Sequence, residues 1–505
     1  MRTIRHYVDL RAAEQPDAPY LIAPETGAVM SYGELQRASR ELGLFLLGQG
    51  LQPGDKIALM LHNSYQTARL LIGVMYAGFT VVPLNLLSQR SQLEYVIDHS
   101  DSALIFTSDE LAQRVHEALG ALQRTVKVVV IDADASHSPL DAAAARDDGL
   151  DLPAVTDEHE SLLMYTSGTT GKPKGVLHTH RSVVAGGEYT SAAHRLTRDD
   201  RVLCALPLYH INGQIVTGVA PLVHGGSVVM PHRFSVSEYW QHVSQHRCTW
   251  INVVPTIIAY LLNAPDPRQS GIDISRVKFC RSASAPLAPE LHRAFEQKFG
   301  ISIIETFGMT ETNAPCFSNP YESARRKIGS PGRAYGNEAK IIDAQTGAAQ
   351  PPGSEGEIML RGDNLMKCYY KDPDNTARTL RRDGWLHSGD LGYMDEDGFV
   401  FVTGRIKELI IKGGENIAPR EIDEALLKHP AVLEAAAVGI PDPLYGQEIM
   451  ACVVLKAGTH CTTNELNEFC ERELGKYKAP KVLKILDALP KGPSGKVQRL
   501  KLLDN

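Results

Sequence analysis

The residues best suited to chemistry lie in the segment 165–175, which reads Tyr-Thr-Ser-Gly-Thr-Thr-Gly-Lys-Pro-Lys-Gly. It combines three glycines, four serine and threonine hydroxyls and two lysines. Glycine lets the backbone turn tightly and approach a ligand closely. Successive backbone N–H groups in such a turn form an anion-binding concavity, to which hydroxyl and ammonium groups add donors and charge. We therefore predict a phosphate-binding loop. Its contacting residues would be Thr166, Ser167, Gly168, Thr169, Thr170, Lys172 and Lys174.

Two other interpretations of this segment fit less well. The nucleotide-binding P-loop needs Ser or Thr after its lysine and a helix that continues. Here Pro173 follows Lys172, and a proline disfavours helical geometry in the residue before it. Lys172 is therefore expected on an extended loop. A flexible surface loop would explain the glycines and threonines, but not the two lysines beside them.

The composition excludes several classes of protein. A chain of 505 residues predicts two to four domains. The net charge of −7 gives no support for a nucleic-acid partner. The longest apolar stretch, Leu70 to Leu84, contains two glycines and a proline and is shorter than a membrane span, so no membrane partner is expected. The eight cysteines form no C-x-x-C pair, which indicates neither zinc nor disulfides and favours a cytoplasmic location.

Alternating strand and helix patterns predict an α/β fold. From Ser31 to Ile131, short apolar strands such as Lys56–Met60 are separated by amphipathic runs, and the alternation resumes after the loop. Two of these runs start at a capping-box spacing, Ser31 with Glu34 and Ser91 with Glu94. Strands separated by helices favour parallel, doubly wound sheets, so we expect two such α/β subdomains. Residues 327–403 change to glycine-rich turns and short β runs, which predicts a β subdomain. A compact α+β segment follows, with a helix expected from Thr463 to Leu474, and we place the domain boundary between 404 and 405.

Five further motifs follow the loop in order along the chain. They are Glu-Thr-Phe-Gly-Met-Thr-Glu-Thr at 305–312, Trp-Leu-His-Ser-Gly-Asp at 385–390, Gly-Arg-Ile-Lys-Glu at 404–408, Lys-Gly-Gly-Glu-Asn-Ile at 412–417 and Pro-Lys-Gly-Pro-Ser-Gly-Lys-Val at 490–497. Together with the loop they resemble the signature motifs of the adenylate-forming superfamily, which includes acyl-CoA synthetases, luciferases and the adenylation domains of peptide synthetases. The resemblance implies an ATP-dependent acid–CoA ligase that forms an acyl-adenylate and releases AMP and pyrophosphate.

The same resemblance implies roles for individual residues. Phe307 would stack on adenine, Glu311 and Thr166 would hold Mg²⁺, and Asp390 would bind the ribose. The other residues expected to bind ATP are Ala283, Ser284, Ala285, Glu305, Thr306, Gly308, Met309, Thr310 and Arg405. Lys496 would be the catalytic lysine, because its ammonium can bridge the substrate carboxylate and the α-phosphate. The catalytic set would be Lys496, Glu311, Thr166 and His210.

A small, mobile C-terminal domain (residues 405–505) would alternate between two half-reactions around residues 1–404. By resemblance, Lys407 is the hinge, and Lys412, Gly413 and Gly414 line the path of CoA. A simple hairpin turn remains an alternative for this loop, except at Gly414. The surroundings of Lys496 also resemble sites where the lysine is switched off by acylation, so a protein acyltransferase is a hypothetical partner.

The acyl substrate is less closely defined. The motif at 207–214 resembles the wall of the acyl pocket, and the expected contacts are His210, Asn212, Gly213, Arg281 and Gly308. Arginine pairs bidentately with carboxylate or sulfonate. Alternatively, Arg281 faces solvent or a structural carboxylate, and His210 only gates the site. The surrounding sequence looks closest to ligases for small acids with a second anionic group, such as oxalate, malonate or sulfoacetate.

Other functions stay open at this point. The acid could instead be a short or medium apolar acid or an aromatic one. A luciferase-like or stand-alone adenylating enzyme shares the motifs. A peptide-synthetase module would have Asp near the start of 207–214 and a carrier domain downstream, and neither is found in the sequence. The oligomeric state is also open, with a homodimer among the alternatives.

Overall fold

The computed structural model describes residues 2–137, 151–166, 172–313, 315–492 and 497–504. The strands before residue 370 are β1 (Pro19–Ile22), β2 (Val29–Ser31), β3 (Lys56–Met60), β4 (Thr80–Pro83), β5 (Ser102–Thr107), β6 (Lys127–Val130), β7 (Glu160–Thr166), β8 (Lys174–Thr179), β9 (Arg201–Cys204), β10 (Ser227–Val229), β11 (Trp250–Val253), β12 (Phe279–Ser282), β13 (Ile303–Phe307), β14 (Phe317–Ser318), β15 (Arg333–Ala334), β16 (Glu338–Ile342), β17 (Gly356–Arg361) and β18 (Cys368–Tyr369). The later strands are β19 (Leu386–Met394), β20 (Val400–Arg405), β21 (Ile410–Lys412), β22 (Glu415–Ile417), β23 (Val432–Asp442), β24 (Gly446–Leu455) and β25 (Val482–Ile485).

Helices connect most of these strands. They are α1 (Ile4–Glu14), α2 (Tyr32–Gly48), α3 (Tyr65–Tyr76), α4 (Arg90–His99), α5 (Asp109–Leu119), α6 (His180–Ala193), α7 (Ala220–His224), α8 (Tyr239–Gln245), α9 (Pro255–Asn263), α10 (Pro289–Phe299), α11 (Pro373–Thr379), α12 (Pro419–Leu427) and α13 (Thr463–Leu474). A π-helical segment, Asn212–Val219, precedes α7. None of the helices in the described ranges is both long and apolar enough to cross a lipid bilayer.

Two sheets with parallel centres form the body of the molecule. The first has the strand order β15-β14-β13-β12-β11-β9-β10-β1-β2, in which the run from β13 to β1 is parallel. The second has the order β18-β8-β7-β4-β3-β5-β6, with β7 to β6 parallel. Strands covered on both faces read as continuous apolar runs, which is why the sequence pattern located them well. The predicted α/β class with two doubly wound units is confirmed.

One hydrophobic core joins the two sheets. It includes Leu21 and Val228 from the first sheet and Ile57 and Val81 from the second, all fully buried. Helix α3 is buried along its whole length, which explains the long apolar stretch without a membrane span. Because both sheets pack into one core, the carboxyl ends of their parallel strands are held in a fixed relation.

Two smaller sheets complete the fold. The antiparallel order β16-β17-β19-β20 forms the predicted β subdomain. After it, β22-β21-β24-β23, with β25 paired to β24, is covered by α12 and α13 around a separate core. Helix α13 spans the range expected from the sequence, where Thr462 and Glu465 form a capping box.

Several local expectations need correction. The capping box expected at Ser91 and Glu94 is instead formed two residues earlier, by Gln89 and Gln92, because the helix already begins at Arg90. The capping box of α2, at Ser31 and Glu34, is confirmed. The sequence predicts a strand that ends at Ile304, before the 305–312 motif, but β13 extends through Phe307 and therefore includes residues 305–307. Similarly, Arg281 lies within β12.

Candidate active site

The hairpin of β7 and β8 carries one side of the site. It places Thr166 opposite Lys174, at the mouth of the loop 167–171. Residues Ser167, Gly168, Thr169 and Thr170 lie outside the described part of the chain. Lys172 is exposed and lies in a bend two residues before β8, with its ammonium 5.7 Å from the ring centre of Tyr95. As expected, it does not begin a helix.

Tyr369 connects this hairpin to Glu311. The ammonium of Lys174 lies 5.0 Å from the centre of the Tyr369 ring, and the Tyr369 hydroxyl donates to Glu311 Oε1 at 2.8 Å. Burial, followed by the Glu311 charge, raises the pKa of Tyr369, which keeps it a hydrogen-bond donor. Thr166, Lys174 and Glu311 are thus brought to one place by a residue that the sequence analysis missed.

A buried histidine fixes the segment that carries Glu311. His178 Nε2 donates to the Thr310 carbonyl at 2.9 Å, and the amide of Asn313 donates to the other ring nitrogen. Burial lowers the pKa of His178 to about 3, so the ring is neutral, as this pair of hydrogen bonds requires. Asn313 itself adopts a left-handed conformation with φ of 53°. The 3₁₀ turn Thr310–Thr312 is therefore anchored from the core of the second sheet.

The expected walls of the adenine site lie at adjacent strand ends. Phe307 closes β13 and its ring centre is 5.6 Å from that of Phe317. Next to β13, the segment 283–285 follows β12, and Ser284 adopts a φ of 72°. A non-glycine residue in this region is strained, and such strain is often found at ligand sites. Ala283 is held by its N–H bond to the Val253 carbonyl at 3.2 Å.

The remaining residues of the 305–310 segment divide into two groups. Thr306 is buried, and its hydroxyl bonds the Ser282 carbonyl at 3.5 Å. Glu305 is buried too, accepting from the Leu287 N–H at 3.4 Å, and burial raises its pKa. These side chains stabilise the strand ends. Gly308, Met309 and Thr310 are half-buried, as Glu311 is.

The donor set at Glu311 fits a magnesium ion. Its half-buried carboxylate offers oxygen, the ligand type that Mg²⁺ prefers, and the neighbouring lysine-bearing hairpin suits the phosphates that complete such sites. Glu311, with Thr166 as the expected second contact, would hold the ion. The ion would there neutralise phosphate charge.

Asp390 and Arg405 form an ion pair across two strands. They are paired in register on β19 and β20, with Arg405 Nε 2.8 Å from Asp390 Oδ1. Asp390 is buried and its charge, more than any other factor, raises the pKa of Arg405. The pair orients both side chains before any ligand binds. Their contact with ribose stays a prediction.

A network of two asparagines surrounds Arg281. Its Nη1 donates to Asn212 Oδ1 at 2.9 Å and to Asn252 Oδ1 at 2.8 Å. Only 2% of Arg281 is exposed, and burial lowers its pKa to about 9, so it remains a cation at neutral pH. No carboxylate of the described residues lies within ion-pair distance of it. Both alternatives for Arg281, solvent and a structural carboxylate, are therefore wrong for the described chain.

Asn252 is the partner that the sequence analysis missed. It lies in β11 beside Arg281 of the parallel strand β12. The sequence signal for Asn252 was that it is the single polar residue of an apolar strand. That strand lies next to the one that carries the buried arginine. Asn212 also donates to the Ser284 hydroxyl at 3.0 Å, which links the arginine to the strained segment that follows β12.

The other residues of the expected acyl wall lie around the start of the π-helical segment. His210 is half-buried, and its Nδ1 accepts from the Asn212 N–H at 3.3 Å. A Cβ atom on Gly213 would lie 2.6 Å from the Pro207 carbonyl oxygen, so a glycine is needed there. His210, Asn212 and Arg281 are consequently held close to one another, as expected for one pocket.

The candidates for CoA binding lie at the end of β21 and in the turn that follows it. Lys412 is 5% exposed and engaged inside its own domain, with an ion pair to Glu448 and a 2.7 Å bond to the Tyr477 carbonyl. Gly414 has a φ of 87° and open space around it. Gly413 has a φ of 57°. The backbone turn, and not the Lys412 side chain, is thus the part of this loop that a ligand can reach.

Of the remaining two candidates, the structure describes Lys407 but not Lys496. Lys407 lies in an exposed 3₁₀ turn, Ile406–Glu408, directly after β20. Lys496 lies outside the described residues. Its role stays a prediction.

Comparison with known sequences decides the family. The profile described as "AMP-binding enzyme" matches residues 8–370, and the one described as "AMP-binding enzyme C-terminal domain" matches residues 421–496. The chain belongs to the AMP-binding enzyme family. Its relatives and its domains make it an AMP-forming acyl-CoA synthetase, with ATP and CoA as co-substrates.

Several characterised AMP-binding enzymes are similar over nearly their whole length. A sulfoacetate–CoA ligase of Cupriavidus necator is 53% identical over 503 residues, which cover 100% of this chain and 98% of the relative. An oxalate–CoA ligase of Arabidopsis thaliana is 36% identical, covering 89% and 88%. The crystal structure of ATP-bound MatB from Rhodopseudomonas palustris superposes with a TM-score of 0.89 at 30% identity, covering 98% of both chains.

Proposed function

We propose that this AMP-binding enzyme activates a small carboxylic acid that carries a second anionic group, and that the Arg281 guanidinium binds that second group. One observation carries the proposal: a fully buried cation whose hydrogen-bond partners are neutral amide oxygens. Burying an unpaired charge is costly, and removing one partner of a buried pair typically costs about 3–5 kcal/mol. An anionic substrate group would supply the missing countercharge.

The geometry of the guanidinium supports this. Both asparagine contacts use Nη1, while Nε is buried and has no hydrogen-bond partner in the described part of the chain. An arginine donates five N–H bonds in a fixed fork, which matches two oxygens of a carboxylate or sulfonate. The asparagines hold one end of the fork and leave donors for a ligand.

Among such acids we propose sulfoacetate. The relative named sulfoacetate–CoA ligase is 53% identical over the full chain, whereas the relative named oxalate–CoA ligase is 36% identical. A sulfonate remains ionised at every pH at which the enzyme works. It can accept hydrogen bonds from the guanidinium fork and from a neighbouring polar group such as His210.

The residues of the site would then divide the reaction between them. The substrate carboxylate attacks the α-phosphate of ATP, pyrophosphate leaves, and the CoA thiol displaces AMP from the acyl-adenylate. Arg281 holds the far end of the acid, so that its carboxylate points to the 305–311 segment. Glu311, fixed by Tyr369 and the anchored turn, and the hairpin at Thr166 and Lys174 position the phosphates. Positioning and charge neutralisation supply most of the catalysis in such transfers.

We also propose that the C-terminal unit moves between the two half-reactions. The boundary would lie between residues 404 and 405, with Lys407 as the hinge. The exposed turn at Lys407 and the open backbone at Gly414 support this arrangement. Lys496 would serve the first half-reaction and the Gly414 turn the second.

A matched pair of acids tests the substrate proposal. AMP release is measured with ATP, Mg²⁺ and CoA for sulfoacetate and for methylsulfonylacetate, which has nearly the same shape but no second charge. Malonate, oxalate, acetate, octanoate and benzoate complete the panel. We expect the highest kcat/KM for sulfoacetate and at least a hundredfold lower value for the neutral sulfone. Equal values for the pair, or a preference for octanoate or benzoate, would refute the proposed specificity.

A further inference from the structure

A cluster of two histidines and an aspartate lies apart from the residues discussed above. His232 Nε2 is 2.8 Å from Asp134 Oδ1, and the rings of His62 and His232 have their centres 4.6 Å apart. One ligand atom from each of the three residues can be chosen so that all three lie within 4.8 Å of one another. It is the one group of this kind that the described ranges contain.

The cluster joins the carboxyl ends of strands from both large sheets. His62 follows β3 and Asp134 follows β6, both in the second sheet, whereas His232 follows β10 in the first. Glu25 follows β1 of the first sheet. Its Oε1 accepts a hydrogen bond from the backbone N–H of His232 at 2.7 Å and lies 3.9 Å from the ring atom His232 Nδ1. A ligand bound here would therefore link the two sheets directly.

The segments that carry these side chains are well fixed. The backbone carbonyl of His62 accepts from Thr67, and the next residue, Asn63, bonds the backbone of Leu206 and Leu208. The segment at Asp134 is tied to α3 by two hydrogen bonds from Gln66, to the carbonyls of Ala133 and Ala135. Small shifts of side chains, and not of backbone, would be enough to bring the donors together.

We propose that His62, Asp134 and His232 form a zinc site, with a water molecule as the fourth ligand. Imidazole nitrogen and carboxylate oxygen are usual zinc ligands, bound at about 2.0–2.2 Å, so tetrahedral donors would be about 3.3 Å apart. The donors in the cluster already span 2.8 Å to under 4.8 Å. His62 Nε2 is buried and has no hydrogen-bond partner among the described residues, which leaves it available to a metal.

The site would be structural. Zinc would add a direct link between loops of two sheets that share one apolar core, and it would take no part in acid activation. Its half-buried ligands leave it open to exchange with metal in solution. The readout is metal binding, so the test does not depend on the ligase reaction.

The experiment uses the full chain, without a histidine tag and freed of metal by dialysis against a chelator. Zinc binding is measured by calorimetry and metal analysis for the wild type, His62→Gln and Asp134→Asn. The matched control is the double variant His242→Gln/His246→Gln, which removes the stacked histidine pair at the C-terminal end of α8. We expect one zinc ion per chain, at least about tenfold weaker binding in each cluster variant, and unchanged binding in the control.

Cobalt gives a second measurement that needs no variant. Co²⁺ added to the wild type should show the intense visible absorption of a tetrahedral site, and zinc should displace it. Zinc should also raise the melting temperature of the wild type and of the control, but not of the cluster variants. Less than one equivalent of bound zinc, binding lost in the control, wild-type affinity in both cluster variants, or no tetrahedral cobalt spectrum would each overturn the proposal.

Discussion

Replacing Arg281 with methionine should destroy the preference for acids with a second charge. Methionine keeps much of the volume of the side chain but removes the cation. A sulfonate would then be buried against two asparagines without a countercharge, at a cost of about 3–5 kcal/mol. Since each 1.36 kcal/mol is a factor of ten, kcat/KM for sulfoacetate should fall by roughly two to four orders of magnitude. The sulfone group of methylsulfonylacetate is neutral and needs no countercharge, so kcat/KM for this acid should change by less than about tenfold.

The assay is AMP release with both acids, measured for the wild type and for two variants. Arg201→Met is the matched control, because Arg201 is a half-buried arginine of β9 in the same sheet. It is bonded to the Ser227 hydroxyl at 2.8 Å and the His246 carbonyl at 2.7 Å. The control should leave the ratio of the two kcat/KM values unchanged. If Arg281→Met lowers both acids equally, or neither, Arg281 does not bind the second anion and the reasoning fails.

Three further predictions concern stability and the roles of single residues. Burial lowers the pKa of each of three histidines to about 3, so as the pH falls the unfolded chain binds these protons before the folded chain does. The free energy of unfolding should therefore fall by up to about 1.4 kcal/mol per pH unit for each histidine between pH 6.5 and pH 3. Urea unfolding between pH 7 and 4 measures this, and a flat profile would contradict it. The histidines are His178, His180 and His194. Tyr369→Phe should raise the Mg²⁺ concentration needed for half-maximal activity, because Glu311 loses a hydrogen bond worth about 1.5–3 kcal/mol. An unchanged magnesium titration would argue against a role of Tyr369 in positioning Glu311. Lys496→Ala should abolish ATP–pyrophosphate exchange but spare thioester formation from supplied acyl-adenylate, and Gly414→Leu should do the reverse; equal loss of both half-reactions in both variants would contradict domain alternation.

Much of the fold could be predicted because burial and sequence pattern agree. Strand β3 is an example: its residues Ile57 to Met60 are buried and form an uninterrupted apolar run, and its bounds are those expected from the sequence. The helix α13 was bounded by its capping box and its final glycine. The start of α4 was predicted less accurately. Gln89 forms the N-cap there, and Ser91, which the sequence predicted as the cap, lies inside the helix.

The candidate site was predicted only where its residues are neighbours in sequence. Glu311 and the hairpin at Lys174 follow from local motifs, but their link, Tyr369, is 58 residues from Glu311 and has no motif of its own. Asn252 could be found only from the register of β11 against β12. The cluster around His232 gave no signal at all, because its members follow three different strands and meet only when both sheets pack together.

The most direct test of the central claim is to trap the intermediate. The enzyme is mixed with ATP, Mg²⁺ and sulfoacetate without CoA, quenched with acid, and examined by mass spectrometry. We predict about one equivalent of sulfoacetyl-adenylate per enzyme, converted to sulfoacetyl-CoA and AMP when CoA is added before the quench, and no adenylate from methylsulfonylacetate above a trace. Adenylate formed equally from the neutral sulfone, or none from sulfoacetate while octanoate or benzoate is adenylated, would contradict the account.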